Sequence, residues 1–240
     1  MMIFDEINKK IATGKKQIAL LIDPDKFSSG QLEAVHRHEK HIDLILVGGS
    51  FTFKHIGDVI ARIKEKVSIP VILFPGDVTQ LSANADALLM LSLISGRNPE
   101  YLIGNHVLAA PRIMEYGLEP IPTGYIVLNG GKKTAVSYIS NTNPVPSEQH
   151  DIIVATALAG KYLGLKMIYL ETGSGATHPA SPELVRKVKS TVHLPLIVGG
   201  GIKTAEQLKS LFNAGADIAV IGTLFENNPE VLQDIIEGIH

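Results

Sequence analysis

The sequence contains no cysteine and no tryptophan among its 240 residues. The absence of cysteine excludes a disulfide framework and a thiolate metal site. Aromatic residues make up only 5% of the chain, and no apolar run approaches the roughly 20 residues that a membrane-spanning helix requires. Lysine and arginine together number 22, and aspartate and glutamate 24. Because neither sign of charge dominates, we expect no general affinity for nucleic acid or for an acidic membrane surface. The lack of a long apolar run predicts no membrane span.

What is present is the composition of an ordinary globular protein, with 45% apolar and 19% charged residues. The length is close to the roughly 250 residues of a single (β/α)8 barrel. The first six residues lack a basic stretch followed by a long apolar core. We therefore expect no secretory signal and a cytoplasmic location. No linker or low-complexity tract divides the chain, which predicts one domain over residues 1–240.

Short apolar segments alternate with amphipathic helical segments along the chain. This pattern favours an α/β fold with a closed parallel sheet, and an open doubly wound sheet is the alternative. The predicted strands span residues 17–22, 44–47, 71–74, 87–91, 119–123, 167–170, 196–198 and 218–221. The link between the third and fourth strands, residues 75–86, is too short for a full crossover helix. That unit of the barrel is therefore expected to be degenerate.

Two regions depart from a simple strand and helix alternation. After the fifth strand, residues 125–128 and 134–139 read as short extended segments, and a helix is predicted from about residue 148 to 163. Insertions of this kind usually cover the active-site face of a barrel. A helix is also predicted from residue 99 through 108, with an interruption or kink at Pro111.

Glycine-rich turns follow the last two predicted strands. Gly199, Gly200 and Gly201 end the seventh strand, and Gly222-Thr223 ends the eighth. Glycines leave backbone N–H groups unobstructed, and the phosphate site of a (β/α)8 barrel is usually built from these two turns. The alternative is that the glycines merely end strands. Taken together, the two turns predict a phosphate site.

Oxygen ligands for a metal ion follow the first two strands. The first strand runs into Asp23-Pro24-Asp25-Lys26, and the second ends before Ser50. Carboxylate and hydroxyl oxygens suit Mg²⁺, which shares its remaining positions with water and substrate phosphates. The alternative is a tight turn with one exposed carboxylate. If a phosphate site lies across the barrel mouth, the metal interpretation is favoured.

The sixth strand ends in a second acidic position. Tyr169 and Glu171 point to the same side of a strand. An inward-facing glutamate in an apolar barrel is costly unless it has a partner or a function, and it could act as a general base toward a substrate hydroxyl. Gly173 and Gly175 bracket Ser174 in a turn that can wrap a small polyol. The alternative is a structural ion pair.

Together these segments resemble the geranylgeranylglyceryl phosphate synthase family, which includes the bacterial heptaprenylglyceryl phosphate synthases. The matching segments are residues 21–26, 47–50, 124–129, 169–171, 173–175, 199–202 and 221–223. They follow the family's order across nearly the whole chain, and each is weak alone but specific in combination. The Asp-Asp-x-x-Asp motif of chain-elongating prenyltransferases is absent, which is consistent with this family.

The resemblance implies a modified (β/α)8 barrel, or TIM barrel, in which the third helix is replaced by a short link. It implies a prenyltransferase that uses Mg²⁺ to join a prenyl diphosphate, with geranylgeranyl expected, to the 3-hydroxyl of sn-glycerol 1-phosphate. The product is an ether lipid precursor, and diphosphate is released. The resemblance also implies a homo-oligomer, either a dimer or a hexamer, and allows transient membrane contact for the lipid substrate or product.

Site residues follow from the same resemblance. Asp23 and Ser50 would hold the metal, with Asp25 and Lys26 as further contacts to the diphosphate. Glu171 and Tyr169 would be catalytic, with Glu171 near the reacting hydroxyl. Glycerol 1-phosphate would be bound by Tyr169, Leu170, Glu171, Thr172, Gly173, Ser174, Gly175, Gly200, Gly201, Gly222 and Thr223, where Thr172 has only a backbone role.

The prenyl tail needs a long apolar groove, which we expect between the link after the third strand and the helix of residues 99–108. His106, within that helix, is expected to be a packed or surface residue rather than a catalytic one. One alternative is another phosphate-binding barrel, an isomerase or lyase, which would need neither the metal nor the groove. A non-catalytic phosphate-binding protein on the same scaffold is the other alternative.

Overall fold

The computed structural model describes residues 2–239; Met1 and His240 of the predicted domain lie outside the described residues. Eight parallel strands pair in sequence order, and β8 pairs with β1 to close the barrel. The strands are β1 (Gln17–Ile22), β2 (Leu44–Val47), β3 (Val71–Leu73), β4 (Ala87–Leu93), β5 (Glu119–Val127), β6 (Met167–Glu171), β7 (Leu196–Gly199) and β8 (Ile218–Ile221). The predicted closed barrel is confirmed, and the open sheet is excluded.

Helices surround the barrel and close its two ends. They are α1 (Ile3–Ala12), α2 (Ser29–Arg37), α3 (Ile56–Lys64), α4 (Gly104–Tyr116), α5 (Ala135–Ile139), α6 (His150–Tyr162), α7 (Pro182–Val192), α8 (Ala205–Ala214), α9 (Thr223–Asn227) and α10 (Val231–Ile239). The link between β3 and β4 contains turns but no helix, as predicted. Within residues 2–239, no helix is long and apolar enough to cross a bilayer.

Two local predictions are wrong. Residues 135–139 form α5 instead of an extended segment, because the Thr134 side chain caps the helix by accepting a hydrogen bond from the Ser137 N–H. The helix predicted from residue 99 divides into a 3₁₀ turn, Pro99–Tyr101, and α4, which continues through Pro111 without interruption. Pro111 has no N–H group, so the Val107 carbonyl lacks its helical hydrogen-bond donor. Val107 is 64% exposed, and water can therefore satisfy that carbonyl.

The buried apolar residues form two groups, because side chains alternate along each strand. One group fills the barrel interior and includes Phe74, Tyr125 and Tyr169. The other lies between the strands and the surrounding helices and includes Leu170. Alternation therefore decides which side chains of β6 can reach the mouth of the barrel.

Helix α1 covers the amino-terminal end of the barrel. The Glu119 carboxylate, at the start of β5, accepts hydrogen bonds from the N–H groups of Ile3 and Phe4, at 2.5 and 3.0 Å. The buried Gln17 side chain donates to the Ile7 carbonyl at 3.3 Å. Because these contacts seal the lower end, the opposite end, where the strands finish, is the one left open for a ligand.

Candidate active site

The carboxyl ends of the strands surround a polar cavity of about 360 Å³. Most of the predicted site residues line this cavity, although they come from five different turns. Those that line it are Asp23, Lys26, Ser50, Tyr169, Glu171, Gly173, Ser174, Gly175, Gly200, Gly201, Gly222 and Thr223. The structure thus brings the predicted metal residues and the predicted phosphate turns to one site.

Glu171, the last residue of β6, has a buried carboxyl group at the floor of the cavity. Its Oε1 accepts a hydrogen bond from the Gly173 N–H at 2.5 Å. Burial raises the pKa of this carboxyl, against the opposing effects of Gly173 and Tyr169. No ion pair to Glu171 occurs within residues 2–239, so the structural alternative has no support. A carboxylate with a raised pKa is suited to accept a proton.

Tyr169 lies two residues before Glu171 and faces the same interior. Its side chain is fully buried, and its hydroxyl has no hydrogen-bond partner of suitable geometry among residues 2–239. Burial, and then the nearby Glu171 carboxylate, raise the Tyr169 pKa well above its ordinary value. The hydroxyl therefore stays protonated. An unpaired buried hydroxyl at the floor of a cavity can hydrogen-bond to a ligand.

The glycine turn after β7 allows this close packing. A methyl group added at Gly199 would lie 2.3 Å from the Tyr169 hydroxyl, and one at Gly200 would lie 2.6 Å from Oε1 of Glu171. Gly200 and Gly201 also have positive φ angles, of 81° and 70°, which other residues adopt only with strain. A side chain at Gly199 would displace Tyr169, and one at Gly200 would displace Glu171.

Hydroxyl groups from the turns after β6 and β8 meet at the cavity wall. The Ser174 and Thr223 hydroxyls are 2.9 Å apart, and the Gly175 N–H donates to Thr223 Oγ1 at 3.0 Å. The N–H groups of Ser174 and Gly201 have no acceptor in the part of the chain that is described. Free N–H groups beside paired hydroxyls offer donors for the oxygens of a phosphate.

The two residues that were predicted to hold a metal, Asp23 and Ser50, follow the first two strands. Asp23 Oδ1 accepts from the Asp25 N–H at 3.0 Å, and Oδ2 lies 3.2 Å from the Lys26 ammonium. A methyl group added at Gly49, next to Ser50, would lie 3.9 Å from the Asp23 carboxyl. Burial alone would lower the Lys26 pKa, but the ion pairs with Glu226 and Asp23 outweigh it and raise that pKa.

Three of the predicted ligand contacts, Leu170, Thr172 and Asp25, have side chains that do not point into the cavity or are already hydrogen-bonded elsewhere. The Leu170 side chain packs between the barrel and the helices, so only its backbone is near the cavity. The buried Thr172 donates to the Gly199 carbonyl at 3.2 Å, consistent with a backbone role. Asp25 is not among the cavity-lining residues, because its carboxylate accepts from the N–H groups of Phe53 and Lys54. A diphosphate contact through Asp25 is therefore not supported.

A second, mainly apolar cleft adjoins the polar cavity. It runs between the β3–β4 link, β4 and α4, with lining residues that include Val78, Leu81, Leu88, Met90, Ala109 and Ile113. This is where the prenyl groove was expected. Five residues line both the cavity and the cleft: Gly49, Ser50, Phe74, Tyr125 and Val136. A molecule with a charged head and an apolar tail could occupy the two together.

The sequence reading missed residues that join the two spaces. Phe74 stacks on Tyr169 with ring centroids 5.4 Å apart, and Tyr125 packs edge-on against Tyr169 at 5.3 Å. The buried Gln80 donates to the Gly49 carbonyl at 2.8 Å and accepts from the Gly76 N–H at 3.2 Å. Among these residues, only Phe74 had a local signal in the sequence, because it lies at the end of a predicted strand. His106 contacts the Leu91 carbonyl at 2.8 Å and lines the cleft, so it is a packed residue as expected.

The chain also matches known proteins over nearly its whole length. The model of the PcrB family matches residues 11–239. The chain is 44% identical to the geranylgeranylglyceryl phosphate synthase of Chitinophaga pinensis, over 99% of this chain and 96% of that protein. It is 41% identical to the enzyme of the same name from Pyrococcus abyssi, over 97% of this chain and 96% of the relative.

A solved structure is also similar across the whole chain. It is (S)-3-O-geranylgeranylglyceryl phosphate synthase from Thermoplasma acidophilum in complex with sn-glycerol-1-phosphate, with a TM-score of 0.92 and 33% identity. The alignment covers 100% of this chain and 98% of that one. The chain therefore belongs to the PcrB family, among the geranylgeranylglyceryl phosphate synthases.

Proposed function

We propose that this protein transfers a geranylgeranyl group from its diphosphate to the 3-hydroxyl of sn-glycerol 1-phosphate. The observation that carries the proposal is the junction of the polar cavity, which contains Glu171, with the apolar cleft. A small phosphorylated polyol fits the first space and a prenyl chain the second. The shared lining at Ser50, Phe74 and Tyr125 is where the two reacting ends would meet.

The acceptor would lie across the polar cavity. Its phosphate would contact Ser174, Gly201 and Thr223, whose hydroxyl and N–H groups line this cavity. Its glycerol hydroxyls would point toward Tyr169 and Glu171 at the floor. The binding of sn-glycerol-1-phosphate by the Thermoplasma acidophilum neighbour supports this acceptor.

Glu171 would act as the general base. As the allylic carbon–oxygen bond breaks, its electron pair leaves with the diphosphate. The acceptor oxygen forms the new ether bond to that carbon, and its proton passes to the Glu171 carboxylate. The proton on the Tyr169 hydroxyl allows it to donate a hydrogen bond to a glycerol oxygen and orient it.

The donor diphosphate would be held with Mg²⁺ near Asp23 and Ser50. No group of three His, Cys, Asp or Glu side chains that could hold a metal occurs within residues 2–239. One carboxylate and one hydroxyl fit Mg²⁺, which keeps several waters and binds substrate phosphates. When bound, the ion would neutralise the leaving diphosphate.

An isomerase or lyase acting on a small phosphorylated substrate is less well supported. Such an enzyme could use the phosphate turns and Glu171, but it would leave the apolar cleft without an occupant. The two relatives compared above are also named as synthases, and this chain aligns with nearly the whole length of each.

A transfer assay tests the proposal. Purified protein, Mg²⁺ and labelled sn-glycerol 1-phosphate would be combined with prenyl diphosphates of increasing length. We expect a chloroform-soluble phosphorylated ether whose formation is abolished by EDTA and falls at least 100-fold in Asp23→Ala, since this substitution removes the metal's only predicted carboxylate. Failure to form the ether with any donor, while glycerol 1-phosphate still binds, would exclude prenyl transfer and favour the isomerase or lyase class.

A further inference from the structure

The turn after β5 packs directly onto the turn after β6. The Thr177 N–H donates to the Gly130 carbonyl at 3.2 Å. A methyl group added at Gly130 would lie 2.1 Å from the Thr172 carbonyl oxygen, and one at Gly173 would lie 2.3 Å from Thr134 Cγ2. Only glycine at these two positions permits this approach, so residues 130–134 are held against the wall of the polar cavity.

This packing places a lysine beside the hydroxyl cluster. A methyl group added at Gly175 would lie 2.9 Å from Nζ of Lys132 and 3.9 Å from Cγ2 of Thr223. Gly175 itself donates to the Thr223 hydroxyl. The Lys132 side chain is exposed, and its ammonium has neither an ion pair nor a hydrogen bond across residues 2–239. Lys132 is therefore an unpaired cation beside Gly175, which lines the cavity, although Lys132 itself is not among the cavity-lining residues.

Before a donor and its Mg²⁺ bind near Asp23, the charges of the cavity lining do not favour a phosphate. Its lining includes the carboxylates of Asp23, Glu171 and Glu226 and the ammonium groups of Lys26 and Lys203. With Glu171 ionised, that lining carries one negative charge in excess. Lys26 is already paired with Asp23 and Glu226, and Lys203 donates to the Thr177 carbonyl at 3.0 Å. Charge-assisted bonds to a free ammonium would offset the excess.

We propose that Lys132 binds the phosphate group of the acceptor and holds it against Ser174 and Thr223. The inference rests on the proposed function, because it assigns a residue to the same acceptor. The role is one of binding and positioning, and Lys132 does not contact the reacting hydroxyl. The turn after β5 would thereby contribute to acceptor affinity, in addition to the turns after β6, β7 and β8.

Substitution at Lys132 tests this role, and the adjacent Lys133 provides a matched control. Like Lys132, Lys133 is exposed and has no recorded partner within residues 2–239. We expect Lys132→Gln to raise the Kd and KM for glycerol 1-phosphate by about 10- to 100-fold, the range expected for losing a hydrogen bond to a charged group. The KM for the prenyl diphosphate and the thermal unfolding temperature should not change. Lys132→Arg should restore most of the affinity, and Lys133→Gln should behave as the unsubstituted protein.

Salt dependence and inorganic phosphate separate the outcomes. Raising the ionic strength should weaken acceptor binding more in the unsubstituted protein than in Lys132→Gln. Equal losses in Lys132→Gln and Lys133→Gln would overturn the proposal in favour of a diffuse surface charge, as would unchanged affinity in Lys132→Gln. If inorganic phosphate binds in a Lys132-dependent manner but no ether forms, the phosphate role stands and prenyl transfer fails. If neither phosphate nor glycerol 1-phosphate binds, both are overturned.

Discussion

At the scale of single residues, the site depends on a carboxylate that is costly to bury. Glu171 lies close to the Tyr169 hydroxyl and accepts a hydrogen bond from the Gly173 N–H, and burial raises its pKa. A carboxyl with a raised pKa binds its proton more tightly in the folded than in the unfolded chain. The burial of Glu171 therefore does not destabilise the fold below the pKa that the carboxyl has in the unfolded chain. The destabilisation grows as the pH rises from that value toward the pKa in the folded chain.

We predict that Glu171→Gln lowers the transfer rate by about 10²- to 10⁴-fold, the range typical of a lost general base. Glycerol 1-phosphate binding should survive. The substitution should also increase the free energy of unfolding at pH 8 but not at pH 4, because only the charged form is penalised by burial. Urea unfolding at both pH values measures this, with the exposed Glu148→Gln as control. Equal stability changes at the two pH values would contradict the account.

The same carboxyl sets the direction of the pH dependence of the reaction. Transfer should decline as the pH falls through the raised pKa of Glu171, which lies above that of an ordinary glutamate. Glu171→Gln should have no such decline in its residual activity.

At the scale of elements, the turns after β2 and β3 act as one unit. A methyl group added at Gly76 would lie 2.4 Å from the Gly49 carbonyl, and Gln80 bridges both turns through three hydrogen bonds. Because the link between β3 and β4 has no helix, this glutamine connects it to the turn that holds Ser50. Side-chain to backbone bonds replace here what a packed crossover helix provides elsewhere in the barrel.

We predict that Gln80→Met lowers the free energy of unfolding by about 1–3 kcal/mol, because partly buried backbone groups of Gly49 and Gly76 lose their partners. The KM for the prenyl diphosphate and for Mg²⁺ should rise, since Ser50 is no longer fixed. Acceptor binding should change little. Denaturant unfolding and steady-state kinetics measure both effects, with Gln233→Met on the exposed face of α10 as control. A loss confined to acceptor binding would be evidence against this positioning role.

At the scale of the whole molecule, the barrel joins two chemically different spaces. The polar cavity is built from strand ends, whereas the apolar cleft lies between the barrel and α4. The outer surface of α4 also exposes Val107, Leu108 and Met114, and Ile103 is exposed just before this helix begins. Apolar surface of this kind is consistent with the expected homo-oligomer, which stays a prediction, as do the Mg²⁺ ion and the prenyl chain length.

We predict that Ala109→Phe, within the apolar cleft, blocks long donors. Ala109 is buried and lines the cleft, while the adjacent Ala110 is exposed on the outer surface of α4. A ring at position 109 would occupy the space of several methylene groups. Turnover of long prenyl diphosphates should fall about 10-fold or more, whereas shorter donors and acceptor binding are spared. Ala110→Phe should change neither, and a uniform loss for donors of all lengths would mean that the cleft does not hold the tail.

Much of the fold could be read from local patterns. Strand positions follow from short apolar runs, and β1, β2 and β8 end where predicted. The pairing of Tyr169 with Glu171 on one face follows from the two-residue period of a strand. The same period places Leu170 outside the barrel, a consequence that its assignment to the acceptor overlooked. Local capping by Thr134, by contrast, turned a predicted extended segment into α5.

The barrel, the glycine-rich turns and the inward carboxylate can be derived from local sequence, because periodicity and glycine positions act over a few residues. Which loop side chains remain free for a ligand depends instead on tertiary packing. Asp25 is taken up by backbone N–H groups more than 25 residues away in the chain, whereas Lys132 is brought to the Gly175 turn without a partner. Such contacts depend on how separate turns pack against one another, and no local pattern specifies that packing.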